Sequence, residues 1–169
     1  RKTPIASFYA NLQVFKGYAQ KEYLPYTTSA GDVAALDAAL DNILEEGIET
    51  VFARHDRIAS AVRGAAQAYG LELFLDSDRS NTVTAIRIPE EIGALRLQEH
   101  LSENYDLLVA TSLAQYADVI LRIGHMGENA FIDKLVYVLA IVDNGLRDLG
   151  FVGKGDLAQL FIGSYKENN

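Results

Sequence analysis

The chain has 169 residues, 49% of them hydrophobic, enough apolar material for one compact domain or a domain with an arm. Its 23 acidic against 15 basic side chains give a formal net charge of -8, which speaks against nucleic acid or an anionic membrane as the principal partner. It has no cysteine, so disulfides and thiolate metal sites are excluded, and no apolar run approaches the roughly 20 residues of a membrane span.

A cytoplasmic location fits this composition. The sequence opens Arg1-Lys2-Thr3-Pro4, with no methionine and no recognisable element, so we expect the carboxyl-terminal part of a longer protein. Residues 1–28 form an arm with little periodicity and many aromatics: Phe8, Tyr9, Phe15, Tyr18, Tyr23 and Tyr26. A short helix is expected over 11–18, where Leu12, Phe15 and Tyr18 recur every three residues. Such an arm packs either on a surface outside this chain or back on its own domain.

Pro25 disfavours helix at Leu24. Thr28 or Ser29 offers a cap, and Ser29 with Asp32 three residues on makes a box-like start, for a helix over 30–46 carrying Val33, Leu36, Leu40, Ile43 and Leu44. After Gly47 a second helical pattern runs over 48–69, either continuing a bent helix or starting a new one. Gly70 stops it. Residues 29–69 therefore read as a long linking helical region, and 70–169 as a small domain.

The period then changes to two. Residues 71–75 and 82–88 read as strands separated by the polar run 76–81. A helix is expected over 90–104, a short strand over 107–110, a strand through Val119-Ile120-Leu121-Arg122-Ile123, a helix from about 130 to 149 capped by Asn129, and a terminal helix over 156–166. The order β-β-α-β-β-α after a helical region predicts an α+β fold: a small, mainly antiparallel sheet with helices on one face.

Arg122 is the unusual residue of this plan, since a cation in an apolar strand is costly to bury unless an anion meets it. It is either an edge-strand side chain whose stem reaches water, or a planar fork that grips a carboxylate at two points. Gly124 and Gly127 turn the chain directly after it. His55 and His100 fall on helical stretches and read as packing or surface residues; His125 stands beside Arg122 and is more often structural in such a turn. The hydroxyl cluster Tyr26-Thr27-Thr28-Ser29 ahead of a helix start either caps the helix or also binds an anion such as phosphate.

These residues resemble a known family. Arg1-Lys2-Thr3 with Ser7-Phe8-Tyr9, then Pro25-Tyr26-Thr27 before a long helix, then Leu121-Arg122-Ile123-Gly124-His125-Met126-Gly127 are similar to the carboxyl-terminal portion of class V, fold-type I pyridoxal-phosphate aminotransferases of the alanine–glyoxylate and serine–pyruvate type. The resemblance implies an α+β small domain of that fold and a homodimer acting on a small amino acid and a 2-oxo acid. It implies that Arg122 binds the substrate α-carboxylate, and that Thr27 binds the phosphate of pyridoxal phosphate held mainly by the partner subunit. Residues 1–28 would then be a crossover arm of the large domain and dimer interface.

No metal is implied. The Schiff-base lysine, the acid at the pyridine nitrogen and the ring-stacking aromatic would all lie upstream. Lys2 is too close to the arm to be that lysine, and Lys16, Lys134 and Lys154 match nothing, so the isolated chain is expected to be inactive. Leu24 stands where some relatives carry a phosphate-binding tyrosine, with Tyr23 beside it as a substitute. Ala110-Thr111-Ser112-Leu113-Ala114 stands where relatives often have glycines. A lyase or epimerase of similar fold, or a freestanding α+β module that binds a small carboxylate through Arg122, are the alternatives; the missing cysteine counts against a desulfurase.

Overall fold

The computed structural model describes residues 5–22 and 24–167. The chain divides into two compact units, 1–47 and 48–169, so the expected linking region is shared between them. The opening Arg1-Lys2-Thr3 and Tyr23 lie outside the described residues.

In the first unit a 3-10 turn, Leu12–Phe15, and a short helix α1, Tyr18–Lys21, replace the single helix expected over 11–18. Gly17 separates them, so the three-residue spacing of the aromatics does not extend through one helix. The aromatics gather around Tyr26. Its ring stacks on Tyr9 at 5.1 Å and meets Phe8 and Phe15 edge-on at 5.4 and 5.5 Å. The Tyr26 hydroxyl donates to the Phe8 carbonyl at 2.9 Å. Helix α2, Ala30–Glu46, starts as expected, with Ser29 Oγ accepting from the Asp32 N–H at 3.3 Å. No described residue of α2 is buried, so Val33, Leu36 and Leu40 face outward.

The second unit opens with α3, Ile48–Tyr69, a separate helix after Gly47. Then come β1 (Glu72–Leu73), β2 (Val83–Arg87), α4 (Ala94–Tyr105), β3 (Ala110–Thr111), β4 (Ile120–Gly124), α5 (Ile132–Asp148) and α6 (Leu157–Glu167). The strands form one antiparallel sheet in the order β1-β2-β4-β3. Leu73, Ile86, Leu121 and Ile123 bury one sheet face in a common core with Val62 of α3, Leu97 of α4, Leu139 of α5 and Phe161 of α6. The expected α+β layer is therefore present.

Several boundaries differ from the sequence-based expectation. The first strand is two residues long, because the polar run 76–81 leaves the ladder early, although the Phe74 N–H still bonds the Ala85 carbonyl at 3.0 Å. Helix α4 starts at Ala94 rather than at residue 90. A turn tied by the Ile92 and Gly93 N–H groups to the Pro89 carbonyl comes first, and Asp118 then caps the helix, its Oδ1 accepting from the Leu95 N–H at 2.9 Å. The strand expected over 107–110 pairs only at 110–111. Asn129 does not cap α5. It lies in a 3-10 turn, Gly127–Asn129, and α5 begins at Ile132 without a side-chain cap.

A buried polar knot joins three helices. The Tyr69 hydroxyl donates to Asp143 Oδ1 at 2.6 Å, the Leu157 N–H donates to Asp143 Oδ2 at 2.9 Å, and Arg147 completes the cluster from one turn along α5. Burial opposes ionisation of Asp143. The hydrogen bonds from Arg147, Tyr69 and Leu157 outweigh it and hold the carboxyl below its ordinary value. Burial, reinforced by the bond to Asp143, pushes Tyr69 up to about 12.

Gly153 packs on the flat of Tyr69, where an added Cβ would fall 2.2 Å from Cε1. Gly153→Ala should therefore destabilise the fold by about 1–3 kcal/mol, the usual range for overpacking, read as a lower urea midpoint. The Asp143 carboxylate contributes stability that is present above its unfolded pKa, near 4, and is lost as pH falls through its lower folded value. Urea midpoints followed from pH 7 to pH 3 should drop, and Asp143→Asn should flatten that drop while lowering the midpoint at pH 7.

Candidate functional site

Arg122 stands at the centre of β4, which pairs on both sides. Ala85 of β2 and Ala110 of β3 are its direct partners across the sheet. Directly opposed residues of antiparallel strands project to the same face. The three therefore form a row, with the arginine between two methyl groups. Leu121 and Ile123 point the other way into the core, and Arg122 is exposed. The strand places it there because the apolar residues on either side of it are what the core takes.

The guanidinium is fixed at one point. Arg122 Nε donates to the Thr111 carbonyl at 2.9 Å. Among the described residues its two terminal nitrogens have no hydrogen-bond partner. A guanidinium held by Nε keeps its plane and presents the other edge outward, the geometry needed for a two-point grip on a carboxylate. Next to it a cavity of about 360 Å³ is lined by Leu107, Val109, Ala110, Gly124 and, from α5, Lys134 and Val138. The segment 110–114 thus supplies both the Thr111 anchor and part of this wall.

His125 is fully buried, and its Nε2 shares a hydrogen bond of 2.8 Å with Thr84 Oγ1. Burial lowers its pKa to about 4, so the ring is neutral near pH 7. It faces the core side of the sheet with Thr84, away from the row that carries Arg122, and acts in packing. His100 bonds Asp148 at 2.9 Å on the surface. His55 is different: it and Arg54 reach from α3 to the turn after β4, a contact that no local pattern in the sequence announces.

Thr27 lies in the first unit, exposed, in the extended stretch before α2. Ser29 is spent on the helix cap and Tyr26 on the Phe8 carbonyl. Thr27 is thus a hydroxyl of this cluster with no protein partner among the described residues, close to a helix end whose first-turn N–H groups favour an anion. That donor set fits a phosphate oxygen. Leu24 offers none.

No family model matches the chain. Over 146 residues it is 42% identical to an uncharacterised aminotransferase of Methanocaldococcus jannaschii, covering 85% of this chain and 38% of that protein. Over 113 residues it is 46% identical to an L-aspartate–glyoxylate aminotransferase of Paracoccus denitrificans, covering 66% of this chain and 28% of that protein. The crystal structure of ureidoglycine–glyoxylate aminotransferase from Bacillus subtilis superimposes with a TM-score of 0.90 at 29% identity, over 98% of this chain and 44% of that one. The chain spans less than half the length of these relatives, 28 to 44% of it. The sheet, the helices packed on it and these likenesses agree: the chain belongs to the class V, fold-type I pyridoxal-phosphate-dependent aminotransferases, as a carboxyl-terminal portion of them.

Proposed function

We propose that the protein to which this chain belongs transfers an amino group between a small amino acid and a 2-oxo acid, with Arg122 as the residue that binds the substrate α-carboxylate. The observation that carries this is the Arg122 guanidinium, anchored by Nε to the Thr111 carbonyl and, among the described residues, unengaged at both terminal nitrogens. Aminotransferase substrates on both sides of the reaction share one group, a carboxylate beside the reacting carbon. A single fixed fork serves donor and acceptor alike. The names of the relatives, which pair aspartate or ureidoglycine with glyoxylate, support a small amino acid and a small oxo acid.

Bound pyridoxal phosphate would supply the electron sink for proton removal at the carbon that bears the amino group. This chain's own residues bind and orient. Arg122 holds the carboxylate, which fixes the neighbouring carbon, and Thr27 donates its hydroxyl to a phosphate oxygen of a cofactor held chiefly by the partner subunit. The enzyme is in this reading a cytoplasmic homodimer. In this reading the lysine that anchors the cofactor belongs to the part of the protein outside this chain, since Lys16, Lys134 and Lys154 match no such lysine in the family pattern. The chain on its own is inactive.

Arg122→Lys in the full-length enzyme should raise KM for the oxo acid roughly ten- to a hundredfold. Lysine keeps the charge and loses the planar fork, and a hydrogen bond to a charged group is worth ~1.5–3 kcal/mol. Steady-state kinetics with kcat close to wild type would fit, and an unchanged KM would remove Arg122 from the site. Thr27→Ala should lose cofactor roughly tenfold more readily on dialysis, followed by its absorbance, with KM for substrate little altered. Equal retention in the two proteins would exclude Thr27 as a phosphate ligand.

A further inference from the structure

We propose that Arg54 and His55, neighbours on α3, are positioning residues for Arg122, and that they act by holding the turn into which β4 runs. This rests on Arg122 being the carboxylate site. The sheet stops supporting the chain just past Arg122. Strand β3 ends at its pair with Leu121 and Arg122, Gly124 is paired only with Val83, and the last ladder-like bond runs from the His125 N–H to the Thr82 carbonyl at 2.9 Å. Beyond it the chain enters a glycine turn, with Gly127 in the left-handed region at φ 57°.

Both backbone groups of Gly127 are taken by α3. His55 Nε2 accepts from the Gly127 N–H at 3.1 Å, and Arg54 Nη1 donates to the Gly127 carbonyl at 3.2 Å and to the Ala130 carbonyl at 3.1 Å. The Arg54 guanidinium also lies 4.3 Å above the centre of the Phe131 ring. The His55 ring cannot turn away freely, because Nδ1 bonds the Val51 carbonyl at 2.7 Å. A carbonyl only accepts and an amide N–H only donates, so these two partners require the neutral ring with its proton on Nδ1. The turn is thereby pinned at Gly127, Ala130 and Phe131 by two consecutive residues of a long helix whose far end is in the core.

A two-point grip tolerates little displacement, since a catalytic or binding constellation must hold to ~0.5 Å. A strand end free to shift would carry Gly124, and Arg122 two residues before it, out of register with the Thr111 anchor. The clamp removes that freedom without touching substrate.

The test uses the full-length enzyme with Arg54→Ala, Arg54→Lys, His55→Ala and each of these combined with Arg122→Lys. Arg54→Ala should raise KM for the oxo acid by about ten- to a hundredfold, up to the scale of a 1 Å misplacement from a remote change, with kcat within about twofold and cofactor retention unchanged. Arg54→Lys should recover part of the loss. In the Arg122→Lys background none of the three changes should raise KM further, because the geometry they protect is already gone. Unchanged KM, a loss confined to kcat, or fully additive effects in the double variants would each overturn the proposal. If Arg54→Ala does not fold, Arg54→Lys and His55→Ala carry the same comparison. If Arg122→Lys alone leaves KM unmoved, the carboxylate site itself fails and this inference with it; if Arg122→Lys responds and the α3 variants do not, only this inference fails.

Discussion

The hydrogen bond from Arg122 Nε to the Thr111 carbonyl depends on one constraint: a sheet with one face packed into the core. Leu121 and Ile123 must enter the core, so Arg122 between them must leave it. The neighbouring strands then decide what the arginine meets. Two alanines across the ladder give it nothing to bond and nothing to push against, and the carbonyl of the edge strand takes one nitrogen. A cation that would be costly inside the sheet becomes a fixed, half-satisfied donor on its surface. Most of the second unit serves to keep that strand in place.

The helical layer supports it from several directions. Asp118, two residues before β4, caps α4 and so fixes the approach to the strand. Arg54 and His55 of α3 fix its departure. The Tyr69–Asp143–Leu157 knot in turn ties α3 to α5 and α6, so the helix that reaches the turn is not free to slide. Each tie joins elements distant in the chain, with separations of 23, 72 and 74 residues between Asp118 and Leu95, Gly127 and His55, and Tyr69 and Asp143.

That distance explains what could be read in the sequence. The helical stretches of α2 and α3 followed from a hydroxyl cap before Ala30 and long apolar periodicity, local signals, whereas the same signals left open whether Gly47 bends one helix or separates two. The strand through Arg122 and the antiparallel character of the sheet were legible for the same reason. The starts of α4 and α5 were not. Glu90 looks helical, but the cap of α4 is supplied by Asp118, and the turn ahead of α5 is held by Arg54 of α3, both from elsewhere in the fold. Asn129 carries the right side chain for a cap. The carbonyls of Gly127 and Ala130 are held by Arg54, however, and the chain reaches helical conformation only at Ile132. Of the candidate site, Arg122 and Thr27 could be named from the family pattern. The anchor on Thr111 could not, because it is a main-chain atom of a short edge strand.

The arginines of the second unit differ in what remains of their donors: Arg63 donates to Asn81 and the Ser80 carbonyl, and Arg87 lies over Phe74 with Nε 3.8 Å from Glu72. Arg147 is committed to Asp143 and the Gly155 carbonyl, and Arg54 to two carbonyls of the turn; Arg57 stacks on Tyr165 while donating to its carbonyl. These side chains fasten segments together and have little left for a ligand. Arg79 and Arg96 are exposed and, among the described residues, held by no hydrogen bond, so an anion meeting either must first arrest a long flexible chain, which costs up to ~2 kcal/mol of side-chain freedom. Arg122 has one nitrogen spent on orientation and, among the described residues, two in reserve. Its conformational cost is met during folding rather than during binding, which is the condition under which a charged fork contributes most to recognition.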